Sequence, residues 1–177
     1  FFLSRIDVMI DEQIDSKLES AEGDAKAKLE AIKGKVAIAN AKVAYQKYKE
    51  IFGSDRWKAL AAKGAKVQRL LWASTGTKNP DYSDVMYVDE LVGQDTVNTL
   101  PPDTIDACVD HCDPASRIES NLDAAHQIIE GLKDDAVNID LDTVMDALLE
   151  EGIDKFIKPF ESLMSSLEAK VKHLAAV

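Results

Sequence analysis

Apolar residues along the chain recur mostly at helical spacing. Ile6, Ile10, Ile14 and Leu18 repeat every four residues with Met9 beside them, predicting a helix. The short apolar start at residues 1–6 reads as a strand, with the boundary near Arg5 to Asp7. Leu29, Ile32, Val36, Ala39 and Val43 predict a long helix over residues 24–52, opened by Asp24 and kinked at Gly34. Ser54 is placed to cap a short helix through Trp57 and Leu60 to Lys63, which Gly64 ends.

Residues 67–73 form a short apolar run bounded by turn formers, the signature of a buried strand. A polar loop over 74–84, a short helix over 85–91 and a third strand over 96–100 follow. Pro101-Pro102 opens a helix through Ile105 to Val109. Ser120 can cap a helix carrying Leu122, Ile128, Ile129 and Leu132. Asp140 or Asp142 caps the last, whose stripe from Val144 through Phe156, Phe160 and Leu167 to Val171 is interrupted at Pro159.

Three short strands alternating with helices indicate βα units and a parallel sheet. Three parallel strands are too few to stand alone, because such sheets are covered on both faces and closed at their edges. A (β/α)8 barrel takes roughly 250 residues. The fold class expected is therefore α/β and helix-rich, with under half of the strands that such a barrel requires. The chain opens on Phe1 rather than Met, which fits either a processed chain or part of something longer.

Charge narrows the function classes. Against 32 acids stand 21 bases, a formal charge of −11. A nucleic-acid binder needs surplus Lys and Arg, as does electrostatic attachment to an anionic membrane. No apolar run is long enough to span a bilayer, and the N-terminus lacks the basic start of a signal peptide. Cys108 and Cys112 are one helical turn apart, a poor disulfide framework, and no N-glycosylation sequon occurs, which reads as a reducing, intracellular compartment.

In a barrel, function gathers at the carboxyl ends of the strands. Arg5 ends the first predicted strand, Ser74 to Lys78 leave the second, and Asn98-Thr99 close the third. A guanidinium, a hydroxyl and an ammonium together suit a phosphate, and Gly76 lets the backbone approach an anion. The competing reading is an ion-paired surface arginine and an ordinary polar loop. No predicted strand carries an interior lysine, so no Schiff-base nucleophile is evident, and most lysines fall on solvated helix faces. Asp140-Leu141-Asp142 begins like a calcium loop, but Val144 and Met145 occupy positions that need a ligand and a glycine. Gly76-Thr77-Lys78 lacks the upstream glycine of a P-loop. Cys108, His111 and Cys112 fall short of four zinc ligands.

The run LLWASTGTKNPDYSDVMYVDELVGQDTVNTLPPDTIDACVDH at residues 70–111 resembles the transaldolases. FFLSRIDVMIDEQID at the start is similar to that family's sixth barrel strand and following helix, and DLDTVMDALLEEGIDKFIKPFESLM to its C-terminal helices. The likeness is to the branch with actinobacterial and plant enzymes and glucose-6-phosphate isomerase fusions. It implies a class I aldolase-type (β/α)8 TIM barrel in the pentose phosphate pathway, with the three strands as its sixth, seventh and eighth and residues 1–177 as one partial domain, the C-terminal part of that barrel. Such an enzyme moves a dihydroxyacetone unit from sedoheptulose 7-phosphate to glyceraldehyde 3-phosphate through a lysine Schiff base, with no metal or organic cofactor. By resemblance, Arg5, Ser74 and Lys78 bind substrate phosphate and Phe2 lines the pocket. The Schiff-base lysine and acid–base carboxylates belong to earlier strands, so no catalytic residue is expected here and the chain alone should be inactive. The implied partners are sugar phosphates and the N-terminal part of the same barrel, with no nucleic acid and no membrane. The implied location is the cytoplasm, or a plastid in a photosynthetic source. The alternative is a non-catalytic, helix-rich binding or assembly protein derived from a barrel.

Overall fold

A computed structural model describes residues 1–175. The chain divides into two units, Phe1–Asp140 and Leu141–Val177. The first contains α1 (Leu3–Leu18), α2 (Gly23–Ile32), α3 (Val36–Gly53), α4 (Asp55–Ala61), β1 (Leu70–Trp72), α5 (Met86–Leu91), β2 (Thr96–Asn98), α6 (Pro102–His111) and α7 (Leu122–Gly131). The second is the long helix α8 (Leu141–Ala175).

The two strands pair in parallel, Leu70 opposite Thr96 and Trp72 opposite Asn98. The first predicted strand is reduced to an isolated parallel bridge between Phe2 and Ala73. Helix α1 begins at Leu3, so Arg5 lies in its first turn and not at a strand end. The apolar run 1–3 is divided between two roles: Leu3 starts the buried stripe that continues through Ile6, Ile10 and Ile14, all at most 1% exposed. That stripe holds the helix one turn earlier than the local sequence pattern indicates.

Gly34 does more than kink a long helix. At φ +69° it separates α2 from α3, a conformation that glycine adopts at little cost. An added Cβ there would stand 2.6 Å from the Tyr82 ring. On α3, Ala37, Ala39 and Ala41 are buried, and their small side chains let α1 and α7 approach closely. The Ser54 Oγ accepts from the Trp57 NH at 3.2 Å, so the predicted cap opens α4. Ser120 does not cap α7. The N-cap residue is Asn121, left-handed at φ 57°, and no side chain caps the helix there. Helix α8 runs through Pro159 without ending. No helix among the described residues is long and apolar enough to cross a membrane.

Candidate functional site

The carboxyl ends of the strands are laced together by backbone bonds. The Ala73 NH donates to the Phe1 carbonyl at 2.8 Å, and the Leu3 and Ser4 NH groups donate to the carbonyls of Ala73 and Ser74 at 2.9 and 3.0 Å. The first NH groups of α1, which no helical carbonyl can serve, are thereby satisfied by the chain leaving β1. On the other side, the Thr99 NH and hydroxyl both donate to the Trp72 carbonyl at 2.9 Å, and the buried Thr75 hydroxyl donates to the Thr99 carbonyl at 3.1 Å. Ser74 turns the chain at φ 52°, a left-handed conformation rare in a non-glycine residue.

Arg5 follows Ser4 on α1, so its backbone is one residue removed from the Ser4–Ser74 bond. The Arg5 guanidinium carbon lies 4.7 Å from the centre of the Phe2 ring. Among the described residues, neither Arg5 nor Lys78 is ion-paired to a carboxylate, although acids outnumber bases in the chain. A Cβ placed on Gly76 would meet the Thr104 hydroxyl at 3.3 Å and the Lys78 Nζ at 4.0 Å, so Lys78 folds back beside the loop backbone.

Next to these groups is a cavity of about 310 Å³ whose wall includes Ser4, Asp7, Asp11, Lys78, Tyr82 and Tyr87. Arg5 and Ser74 do not line it. Its two inner carboxylates are fully engaged. Asp7 accepts from the Ala37 NH at 2.8 Å and from the Tyr87 hydroxyl at 2.7 Å. Asp11 accepts from the Gly34 NH at 2.9 Å and from the Tyr82 hydroxyl at 2.8 Å. The two acids thus stitch the start of α3 and the turn before it to α1. Burial pushes the Asp7 carboxyl up to about 6, against the pull of the Ala37 NH and the Tyr87 hydroxyl. Burial, followed by the Asp7 charge, raises the Tyr87 hydroxyl well above its ordinary value, so it remains a donor. With Asp7 and Asp11 so occupied, this cavity is a poor acceptor for an anion.

Sequence reasoning did not single out Ser4, Asp7 or Tyr87. A signal was present for Asp7 and Asp11: both share the buried face of α1 with Leu3 and Ile14, an unusual place for acids. The Ser4 Oγ, in the first turn of α1, and the Asn98 Oδ1, at the end of β2, are buried without a hydrogen-bond partner. Lys42 departs from the expectation for helix lysines. It is 3% exposed and donates to Glu90 at 2.7 Å and to the Ser120 carbonyl at 3.2 Å. Neither β1 nor β2 carries a lysine.

The cysteines are free. Burial, then the bond from Cys112 to Asp89, pushes the Cys112 thiol up to about 12, which favours its protonated form. His111 is engaged by Asp84 at 2.8 Å and Asp110 at 3.1 Å. Among the described residues, no three His, Cys, Asp or Glu side chains are grouped to hold a metal ion.

Comparison with known proteins agrees with the sequence resemblance. The model of the transaldolase/fructose-6-phosphate aldolase family matches residues 1–167. A transaldolase of Trichodesmium erythraeum is 67% identical over the whole of this chain, which covers 47% of that relative. Transaldolase 2 of a Nostoc species is 66% identical, again with the whole chain matching 47% of the relative. A transaldolase of Saccharopolyspora erythraea is 46% identical over 97% of the chain and 44% of its own length. The chain thus spans about half the length of the curated relatives it matches. With the family model covering nearly all of its residues, this chain belongs to the transaldolase/fructose-6-phosphate aldolase family.

Proposed function

We propose that these 177 residues are the C-terminal part of a (β/α)8 transaldolase barrel and provide its grip on substrate phosphate. The parent reaction transfers a dihydroxyacetone unit from sedoheptulose 7-phosphate to glyceraldehyde 3-phosphate. In this reading the Arg5 guanidinium clamps two phosphate oxygens, the Ser74 hydroxyl donates a third hydrogen bond and Lys78 adds a point charge. Phe2 lines the sugar side and, lying against Arg5, limits where the guanidinium can point. Holding the phosphate fixes the distance from that end of the sugar to the reacting carbons, which is how remote binding contributes to rate.

The observation that supports the reading is the bonding of the Leu3 and Ser4 NH groups to the Ala73 and Ser74 carbonyls at the end of the parallel strands, one residue before an arginine that pairs with no carboxylate among the described residues. The short sheet also leaves apolar groups such as Leu71 and Phe1, each 43% exposed, for further strands to cover. The electron-sink lysine and the acid–base carboxylates come from elsewhere in the barrel, so these residues bind and orient but perform no covalent step.

The test uses purified chain with both sugar phosphates. No turnover is expected from the chain alone. Turnover should appear on adding a polypeptide that carries the part of the T. erythraeum relative outside the matched residues, and borohydride should trap the substrate on that added polypeptide. Turnover by the 177 residues alone, with trapping on one of their own lysines, overturns the proposal.

A further inference from the structure

The two cysteines lie outside the strand-end site. Cys108 is in the last turn of α6, and Cys112 is the residue that ends the helix, its backbone already extended at ψ 142°. The Cys112 NH still donates to the Cys108 carbonyl, at 3.3 Å, so the two residues sit one above the other. Their thiols are within hydrogen-bonding reach of each other, and both are only half-buried. The Cys112 thiol donates to the Asp89 carboxylate on α5 at 2.8 Å. The same carboxylate oxygen accepts from the Asp113 NH at 2.9 Å, which fixes it against the sulfur. A structural cysteine is usually buried and packed as a small apolar group. Here two thiols reach solvent, touch each other and have a proton acceptor in place.

The spacing decides what kind of bond the pair can form. One helical turn sets the Cα atoms about 6 Å apart, inside the range that a disulfide spans. The Cβ atoms of such a pair are about 5–6 Å apart and a disulfide brings them to about 4 Å, so closing the bond draws in the last turn of α6. That turn can give, because Cys112 has already left helical backbone and no further helical bond follows it. Cross-linking so short a loop contributes little to stability, and a disulfide closed against strain is easily reduced. The arrangement therefore suits reversible oxidation and not a permanent staple, which agrees with the poor disulfide framework that the spacing offers.

We propose that Cys108 and Cys112 form a reversible dithiol–disulfide pair that exchanges with a disulfide donor, either a small one such as oxidised glutathione or a protein disulfide, and that Asp89 receives the Cys112 proton. The first attack falls to Cys108, because Asp89 holds the proton on Cys112. The Cys108 thiolate displaces one thiolate from the donor and carries a mixed disulfide. As the Cys112 proton passes to Asp89, the Cys112 sulfur attacks the Cys108 sulfur, the protein disulfide forms and the second donor thiolate leaves. The departing thiolates take up the protons that the two protein thiols gave. Two electrons thus pass from the two protein thiols to the donor disulfide, which becomes two thiols.

The test incubates the reduced chain with oxidised glutathione, caps the remaining thiols by alkylation and follows the masses with time. Both free thiols should disappear, the peptide that holds them should lack two hydrogens, and dithiothreitol should restore them. Cys112→Ser should stop with glutathione on Cys108, and Cys108→Ser should take up glutathione at least tenfold more slowly than Cys112→Ser does. Asp89→Asn keeps an acceptor for the Asp113 NH but cannot take a proton, so its mixed disulfide should outlive that of the unmodified chain at least tenfold. In urea that difference should vanish, since cysteines so close in sequence meet without Asp89 once the helix has melted. An unmodified chain that keeps its thiols, that ends with glutathione on both cysteines, or that joins a second copy through a disulfide overturns the proposal. So do equal uptake by the two serine variants and a folded Asp89→Asn variant that closes as fast as the unmodified chain, because the bond would then reflect nearness in sequence alone.

Discussion

On α1, Asp7 is 3% exposed with both carboxylate oxygens occupied, whereas Arg5, two residues earlier, is half-buried and pairs with no carboxylate among the described residues. The same helix therefore carries a closed polar junction and an open one. Asp7 and Asp11 neutralise donors that folding itself creates, namely the NH groups at the Gly34 turn and the start of α3. Among the described residues, Arg5 and Lys78 make no ion pair with a carboxylate, in a chain where acids outnumber bases. Asp7 finds its partners within the fold, while Arg5, for which we propose a phosphate partner, pairs with no carboxylate among the described residues. The consequence is that the two junctions should respond to mutation in different observables.

The largest effect is expected at the closed junction. Asp7→Ala removes an acceptor and leaves the Ala37 NH and the Tyr87 hydroxyl buried without partners, which should lower stability by about 4 kcal/mol, read as the urea midpoint. A loss below about 1 kcal/mol would mean that water replaces the carboxylate and that the junction is not closed. The raised carboxyl adds a pH signature. The folded protein keeps the Asp7 proton up to about 6, whereas the unfolded chain releases it near 3.8. The contribution of this group is therefore present below about 4, is lost as pH climbs to 6, and is flat above that. Asp7→Asn should abolish this fall and cost less than Asp7→Ala at neutral pH.

At the open junction the expected losses are in function. In the complemented enzyme, Arg5→Ala should reduce kcat/KM roughly 100-fold, chiefly through KM for the phosphorylated sugars, with the chain's melting temperature nearly unchanged. A large loss of stability with unaltered KM would reassign Arg5 to architecture and break the contrast. Gly34→Ala tests the closed side again. The left-handed backbone and the Tyr82 ring both oppose a Cβ, so a loss of about 2 kcal/mol is expected, together with loosening of the Tyr82–Asp11 bond. The smallest effect belongs to Lys78→Ala, about a tenfold rise in KM without a stability change, because an exposed ammonium contributes a screened point charge.

Much of this was legible from residue order. The stripe Ile6, Ile10, Ile14, the Ser54 cap and the Pro101-Pro102 start of α6 are local signals, and the structure follows them. The parallel pairing of β1 and β2 follows from strand–helix alternation, although each strand is three residues long, shorter than the apolar runs that predict them. The candidate phosphate residues came first from their positions after predicted strands, and the resemblance then singled out Arg5, Ser74 and Lys78. What residue order hid was the role of Asp7, because a buried acid differs from a surface acid only through its partners, and those lie 30 and 80 positions away at Ala37 and Tyr87. Lys42 was hidden for the same reason, since Glu90 and Ser120 reach it from distant segments.

By itself the sequence determined the helices, the family and the acidic balance, because periodicity, motif and charge are properties of neighbouring or counted residues. Only the tertiary structure decided that α1 starts at Leu3, that Gly34 parts α2 from α3, and that Arg5 stands open while Asp7 is closed. The reason is physical: an orphan NH group, a left-handed turn or a desolvated carboxylate is satisfied by whatever group folding brings beside it. For these junctions that group comes from a distant part of the chain.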